Sequence, residues 1–248
     1  MDRKSRLLSL LLGCMLLGGI LLPACSIETT PDPPDPLAVT PADTSPDTLD
    51  VVAVISEDQD ATDKTTNIIF TFSTIVIEEQ NYVLFDDANE EVVCNGVHQP
   101  LGKSPSYKLY VPRGHYICTY SGNIEDKNGN SKALPLVQMF DVAPRSALSP
   151  QPPVVTSNGY SVRYTPDADD QCTVVGKATD KANDPPVSGQ PERANEGVYS
   201  GPSTSSLHGT GDLFVIRTCH WQHYQPSEFA NMDVTYISQA SVEVTWSH

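Results

Sequence analysis

Apolar residues in this chain recur with a period of two, in runs too short for helices. Val51, Ala53 and Ile55 alternate with their neighbours, and Ile68, Phe70 and Phe72 repeat the pattern. Further short runs lie at 82–85, 92–94, 107–111 and 116–120. Successive side chains of an extended backbone point to opposite faces, so each run predicts a strand with one buried face. Turn formers separate the runs at Asp86-Asp87-Ala88-Asn89, Pro112-Arg113-Gly114 and Lys127-Asn128-Gly129-Asn130. No helical pattern competes, and six or seven short strands in about 90 residues predict a β-sandwich over residues 50–143.

Residues 144–153 include Pro150, Pro152 and Pro153 and predict a linker. Beyond it, strands are expected at 160–164, 172–177, 213–219 and 234–246, the last broken in two near Ser238-Gln239-Ala240. They predict a second β-sandwich domain over 154–248. Residues 178–212 are rich in Gly, Pro, Ser and Asn and show no obvious strand, so a long irregular or disordered loop is expected there. The fold class is therefore all-β, two Ig-like β-sandwich domains in tandem.

The N-terminus carries Arg3, Lys4 and Arg6 ahead of a charge-free run from Leu7 to Leu22. That run is shorter than the roughly 20 residues a spanning helix needs, and it predicts a signal peptide over 1–24. It ends in Leu22-Pro23-Ala24-Cys25, which resembles the lipobox of bacterial lipoproteins. The resemblance implies cleavage before Cys25 and a covalent lipid, diacylglyceryl with palmitate-type acylation, on that residue. It also implies attachment to a membrane of the cell envelope, and Ser26 after the Cys suits the outer membrane if the host is Gram-negative. Residues 25–49 follow, crowded with Pro, Thr and Asp, and predict a disordered tether.

Removing residues 1–24, with three basic and one acidic side chain, takes the 15 basic and 31 acidic residues to 12 and 30. The net charge near −18 excludes nucleic acid as a partner. Cys14 leaves with the signal peptide and Cys25 is claimed by lipid, so Cys94, Cys118, Cys172 and Cys219 remain. An even set in an exported chain predicts disulfides, and the boundary at 144–153 favours Cys94 with Cys118 and Cys172 with Cys219. No C-x-x-C pair supports zinc.

The stretch from Asp60 to Val76, with Asp63, Asn67, Ile68, Phe70 and Phe72, is followed much later by Tyr116, Cys118, Tyr120, Asp126, Gly129 and Asn130. Together they resemble the bacterial Ig-like domain of surface-layer and other exported proteins. The resemblance covers about 90 residues and implies a sandwich that presents loops and edges to partners.

Motifs of catalysis are missing: there is no G-x-S-x-G, H-E-x-x-H, Walker loop or dinucleotide fingerprint. The chain is expected to be no enzyme and to use no cofactor beyond the lipid. His220 and His223 are a close pair, but three positions apart on a strand they face opposite ways, so joint metal ligation needs a turn. Asp126, Asn128 and Asn130 offer oxygens at alternate positions, a weak calcium candidate without the closing Glu of a calcium loop. Trp221, Tyr224 and Phe229 bring aromatics to the same segment as the histidines. Trp221, Tyr224, His220 and His223 are the candidate binding residues, and the neighbouring 178–212 loop is a second candidate surface. The expected function is a membrane-anchored envelope lipoprotein serving structural or adhesive contacts with an envelope or extracellular protein or glycan. The alternative is binding of a small glycan or metal, with a hydrolase lacking a recognisable motif further off.

Overall fold

The computed structural model describes residues 49–76, 79–82, 90–102, 104, 106–125, 131–180, 186–225, 227, 229 and 231–246. Cys25, the calcium candidate at 126–130 and all of the expected tether except Leu49 lie outside the described residues. The first half supplies β1 (Leu49–Asp58), β2 (Thr65–Val76), β3 (Glu79–Tyr82), β4 (Glu91–Cys94), β5 (Val97–Pro100), β6 (Ser106–Pro112), β7 (Tyr116–Glu125) and β8 (Ser131–Val142). The second supplies β9 (Val154–Thr156), β10 (Gly159–Arg163), β11 (Cys172–Asp180), β12 (Val187–Ser188), β13 (Glu192–Arg193), β14 (Val198–Gly201), β15 (Gly209–Trp221) and β16 (Asn231–Trp246).

A nine-stranded sheet runs β12-β11-β15-β16-β1-β2-β3, with β13 added to β11 and β6 to β2. A four-stranded sheet, β5-β4-β7-β8, and a three-stranded sheet, β14-β10-β9, complete the all-β fold. The alternation in the sequence explains the layering. Val51, Ala53, Ile55, Ile68, Phe70 and Phe72 are fully buried on one face of the large sheet. Across the interior Phe70 stacks on Phe140 at 5.9 Å and Phe72 meets Tyr120 at 6.4 Å, so the four-stranded sheet forms the opposite layer. Each aliphatic side chain so buried contributes about 1.5–3 kcal/mol.

The two sandwiches lie in tandem along the chain and share the strands of the large sheet. β16 is one unbroken strand of 16 residues rather than two. Its first part pairs in parallel with β1, from Asp50 opposite Asn231 to Asp58 opposite Gln239, and β15 pairs along its whole length. Met232, Val234 and Tyr236 fill the first sandwich, and Tyr116 lies 6.3 Å from Tyr236. Trp246, on the same face ten residues on, meets Tyr160 of the three-stranded sheet at 6.3 Å. One strand thus serves both interiors, and the described residues all fall in one compact unit.

Residues 144–153 connect β8 to β9 as a linker should, yet they are pinned rather than slack. Leu148 is buried and its N–H donates to Gln59 Oε1 at 2.7 Å, while the Ser146 carbonyl accepts from Arg217 at 2.8 Å. Parts of the expected loop at 178–212 are built into sheets. β12 and β13 cover the outer edge of β11, and β14 pairs with β10. A short 3-10 turn at Ala194–Glu196, closed by Gly197 at φ 70°, carries the chain between them.

Both disulfides join residues directly opposite on neighbouring antiparallel strands: Cys94 and Cys118 on β4 and β7, Cys172 and Cys219 on β11 and β15. All four sulfurs are buried on the inner faces, and the pairing stays within each half.

Candidate binding site at the waist

Pairing across the large sheet sets out its interior in rows. One row reads Cys172, Cys219, Tyr236, Ile55, Ile68, Leu109 and is apolar but for the Tyr236 hydroxyl. The next reads Val174, Arg217, Ser238, Glu57, and places two ionisable side chains inside. This polar row divides the two sandwiches and forms a waist.

Arg217 has no exposed surface, and an unpaired buried charge would be costly, so its partners matter. Its guanidinium reaches Asp167 at 3.0 Å, Ser238 Oγ at 3.2 Å and the Ser146 carbonyl, and lies 6.0 Å from the Tyr236 ring. On the first sandwich's side the Tyr236 hydroxyl donates to Glu57, whose other oxygen pairs with Arg113 at 2.9 Å. Burial first, then the Glu57 carboxylate, pushes the Tyr236 hydroxyl far above its usual range. Arg145, on the pinned connection, adds ion pairs to Asp167 at 3.2 Å and Asp169 at 2.8 Å. Burial works to raise the Asp169 carboxyl, but the Gln171 N–H and Arg145 outweigh it and hold that carboxyl below its usual range.

Two cavities open on this waist. The larger, about 620 Å³, lies among Glu57, Gln59, Lys64, Arg113 and Leu148. Arg113 is already occupied there, by Glu57 and by the carbonyls of Asp58 and Gln59. The smaller, about 360 Å³, is walled by residues 141–145 and 221–225.

The smaller cavity collects most of the candidate binding residues. β15 ends at Trp221, and the chain turns through His223, which holds a left-handed φ of 49°. The His223 N–H donates to Asp233 at 2.9 Å and the Tyr224 N–H to the Met232 carbonyl at 2.6 Å, which fixes the turn against β16. Trp221 and Tyr224 meet edge to face at 6.1 Å, and the Arg145 guanidinium lies 4.8 Å from the Trp221 ring. The Tyr224 hydroxyl donates to the Asp141 carbonyl, and burial raises its pKa. Asp141 in turn takes a hydrogen bond with His115.

Not every candidate joins them. His220 lies on the opposite face of the sheet, exposed, with Nδ1 2.9 Å from Thr235 Oγ1, so the two histidines do not converge. Phe229 is buried and packs on Tyr120 at 5.8 Å, a core residue. None of the cavity's walls comes from 178–212. Among the described residues the one cluster of three potential metal ligands is Asp167, Cys172 and Cys219, and its sulfurs are bonded to each other.

Arg217, Arg145, Asp167 and Asp169 were absent from the sequence-based candidates. A signal existed for Arg217 alone, because Leu213, Val215 and Cys219 are its partners in alternation and place it on the buried face. Arg145 and the two aspartates sit in connections, where no periodicity marks them.

No known family's sequence profile matches the chain, and neither does any curated protein. Solved structures similar to it include two of fibronectin type-III modules. One is a two fibronectin type-III domain segment from chicken tenascin, 13% identical, covering 73% of this chain and 92% of that one at a TM-score of 0.27. The other is the fibronectin(III)-like modules of Clostridium thermocellum CbhA, also 13% identical, covering 79% and 93% at a TM-score of 0.28. The all-β assignment rests on the sheets themselves.

Proposed function

We propose that the protein is a lipid-anchored component of the cell envelope which holds a stiff double sandwich off the membrane and binds an envelope or extracellular partner, without catalysing a reaction. Leu22-Pro23-Ala24-Cys25 behind a short apolar run supports the anchor. Two buried disulfides suit an oxidising compartment. Fold by itself does not fix function, so the binding half of the reading has to rest on a site. The observation that carries it is the meeting of Trp221, Tyr224 and His223 with Arg145 and Asp141 around one open cavity. Two distant segments of the chain supply those groups, one at the end of β8 in the four-stranded sheet and one at the end of β15 in the nine-stranded sheet, and the Tyr224 hydroxyl ties them together at the Asp141 carbonyl.

The anchor is tested by lipid labelling. Wild-type protein should take up labelled palmitate and the Cys25→Ser variant should not; a wild-type protein with an unmodified terminus elsewhere would refute it. Binding is tested by passing envelope fractions over immobilised full-length protein. The wild type should retain material that the double variant Trp221→Ala, Tyr224→Ala releases, and equal retention by both would return this segment to a purely structural role.

A further inference from the structure

The smaller waist cavity has walls of a definite chemistry, and on these grounds we propose that its occupant is a single neutral pyranose ring, a hexose or N-acetylhexosamine, displayed on a larger glycan. The proposal rests on the reading of the protein as a binding module and names what the module binds. At about 360 Å³ the cavity lies at the small end of ligand pockets, which run from about 300 to 1,000 Å³. That volume holds one six-membered ring.

Charge narrows the class. Arg145 lies in the wall, but Asp167 and Asp169 bind its two terminal nitrogens, and Arg217 shares Asp167. Two guanidiniums thus face two carboxylates, and no net charge is left to answer an ionic ligand. Asp141, the one other acid in the wall, is engaged by His115. An anionic ring such as a uronate or a nucleotide would in addition approach a protein of formal net charge −16.

The remaining groups suit hydroxyls. Gln222 and Gln225 are exposed at the rim, and their amides make no hydrogen bond among the described residues. An amide offers both a donor and an acceptor, which pairs with the adjacent hydroxyls of a sugar. Trp221 and Tyr224 are half-buried and supply flat apolar surface for the C–H face of the ring. The ion pairs to Arg145 hold it on Trp221 in advance, so little ordering remains to be done on binding.

The test is a titration of full-length protein, in zwitterionic rather than glycosidic detergent, with glucose, galactose and N-acetylglucosamine, and with glucuronic acid as the charged control. At least one neutral sugar should give a saturable change in tryptophan fluorescence, with Kd on the order of 1 mM. Trp246, buried in the second sandwich, keeps its emission and serves as the internal reference. The double variant Gln222→Ala, Gln225→Ala, altered only at exposed positions, should weaken binding about tenfold, the sum of two ordinary hydrogen bonds. Tighter binding of glucuronic acid, or no saturation with any neutral sugar, overturns the proposal. If no sugar binds while envelope material is still retained through Trp221 and Tyr224, a protein partner takes this site and the binding-module reading stands; loss of both removes the two together.

Discussion

The two ends of the large sheet are covered by layers of very different size. Over the first end lie four strands, two of them ten and twelve residues long, and the interior is filled by regular alternation. Over the second lie strands of three, five and four residues. So small a layer cannot bury much through its own length, and large rings set on glycines make up the difference. A Cβ built on Gly176 would stand 2.5 Å from the Tyr160 hydroxyl and 2.6 Å from Tyr199 Cε1, and one built on Gly201 would stand 2.0 Å from Tyr160 Cζ. The second sandwich also borrows its floor: β15 and β16 are anchored to the first through β1. One end is self-sufficient in its pattern, and the other holds only because the sheet continues.

The row between the two ends is the most sensitive point of the sheet. Arg217→Ala leaves Asp167 buried with Arg145 as its remaining cation and frees the Ser146 carbonyl, and the loss should be about 3–5 kcal/mol. Denaturant unfolding measures it, and because the residue belongs to both ends, probes in either should report the same shift.

Opening the bridges acts more gently. Limiting the unfolded chain makes the Cys172–Cys219 link worth about 4 kcal/mol and the Cys94–Cys118 link about 3.5 kcal/mol. Paired Cys→Ser variants should therefore lower stability by similar amounts. Because Cys172 and Cys219 stand in the Tyr236 row, on the first sandwich's side of Arg217, loss of that bridge should loosen both ends together, read as protease accessibility in each. Gly201→Ala sharpens the contrast further, since overpacking under Tyr160 should cost about 1–3 kcal/mol, read as a fall in melting temperature.

The smallest expected effect is on the alkaline side. Burial raises the hydroxyls of Tyr236 and Tyr116 in the first interior and of Tyr160, Tyr164 and Tyr199 in the second above their ordinary value of 10.0. A pKa raised on folding gives stability that is whole below the unfolded value and lost as pH climbs toward the folded one. The melting temperature should thus begin to fall above about pH 10, and a profile that stays flat well beyond it would contradict these burials.

Legibility in the sequence follows the same division. β1, β2, β4, β6 and β7 were visible because one face of each is core and the other faces outward, so alternation survives. β8 was not: Pro135 interrupts it, and register shifts against β7 leave Met139 and Phe140 both buried in succession. β5 escaped notice although Asn95-Gly96, with φ of 51° and 79°, is a strong two-residue hairpin signal. In the second half, two- to four-residue strands carry too few positions for any period to register. Ser238 looked like a break in β16 because a polar residue stood where the alternation required an apolar one. Its hydroxyl is there to receive Arg217, which only the neighbouring strand reveals. The binding cavity was half legible: the aromatics and His223 share one segment, whereas Arg145 and Asp141 come from a segment far away in the sequence.

Calorimetry of the full-length protein tests the shared sheet most directly. With β16 common to both interiors and the 144–153 connection pinned across Arg217, the folded unit should melt in a single transition whose calorimetric and van't Hoff enthalpies agree. Two resolved transitions, one for each sandwich, would show that the halves are separate domains and would contradict the account.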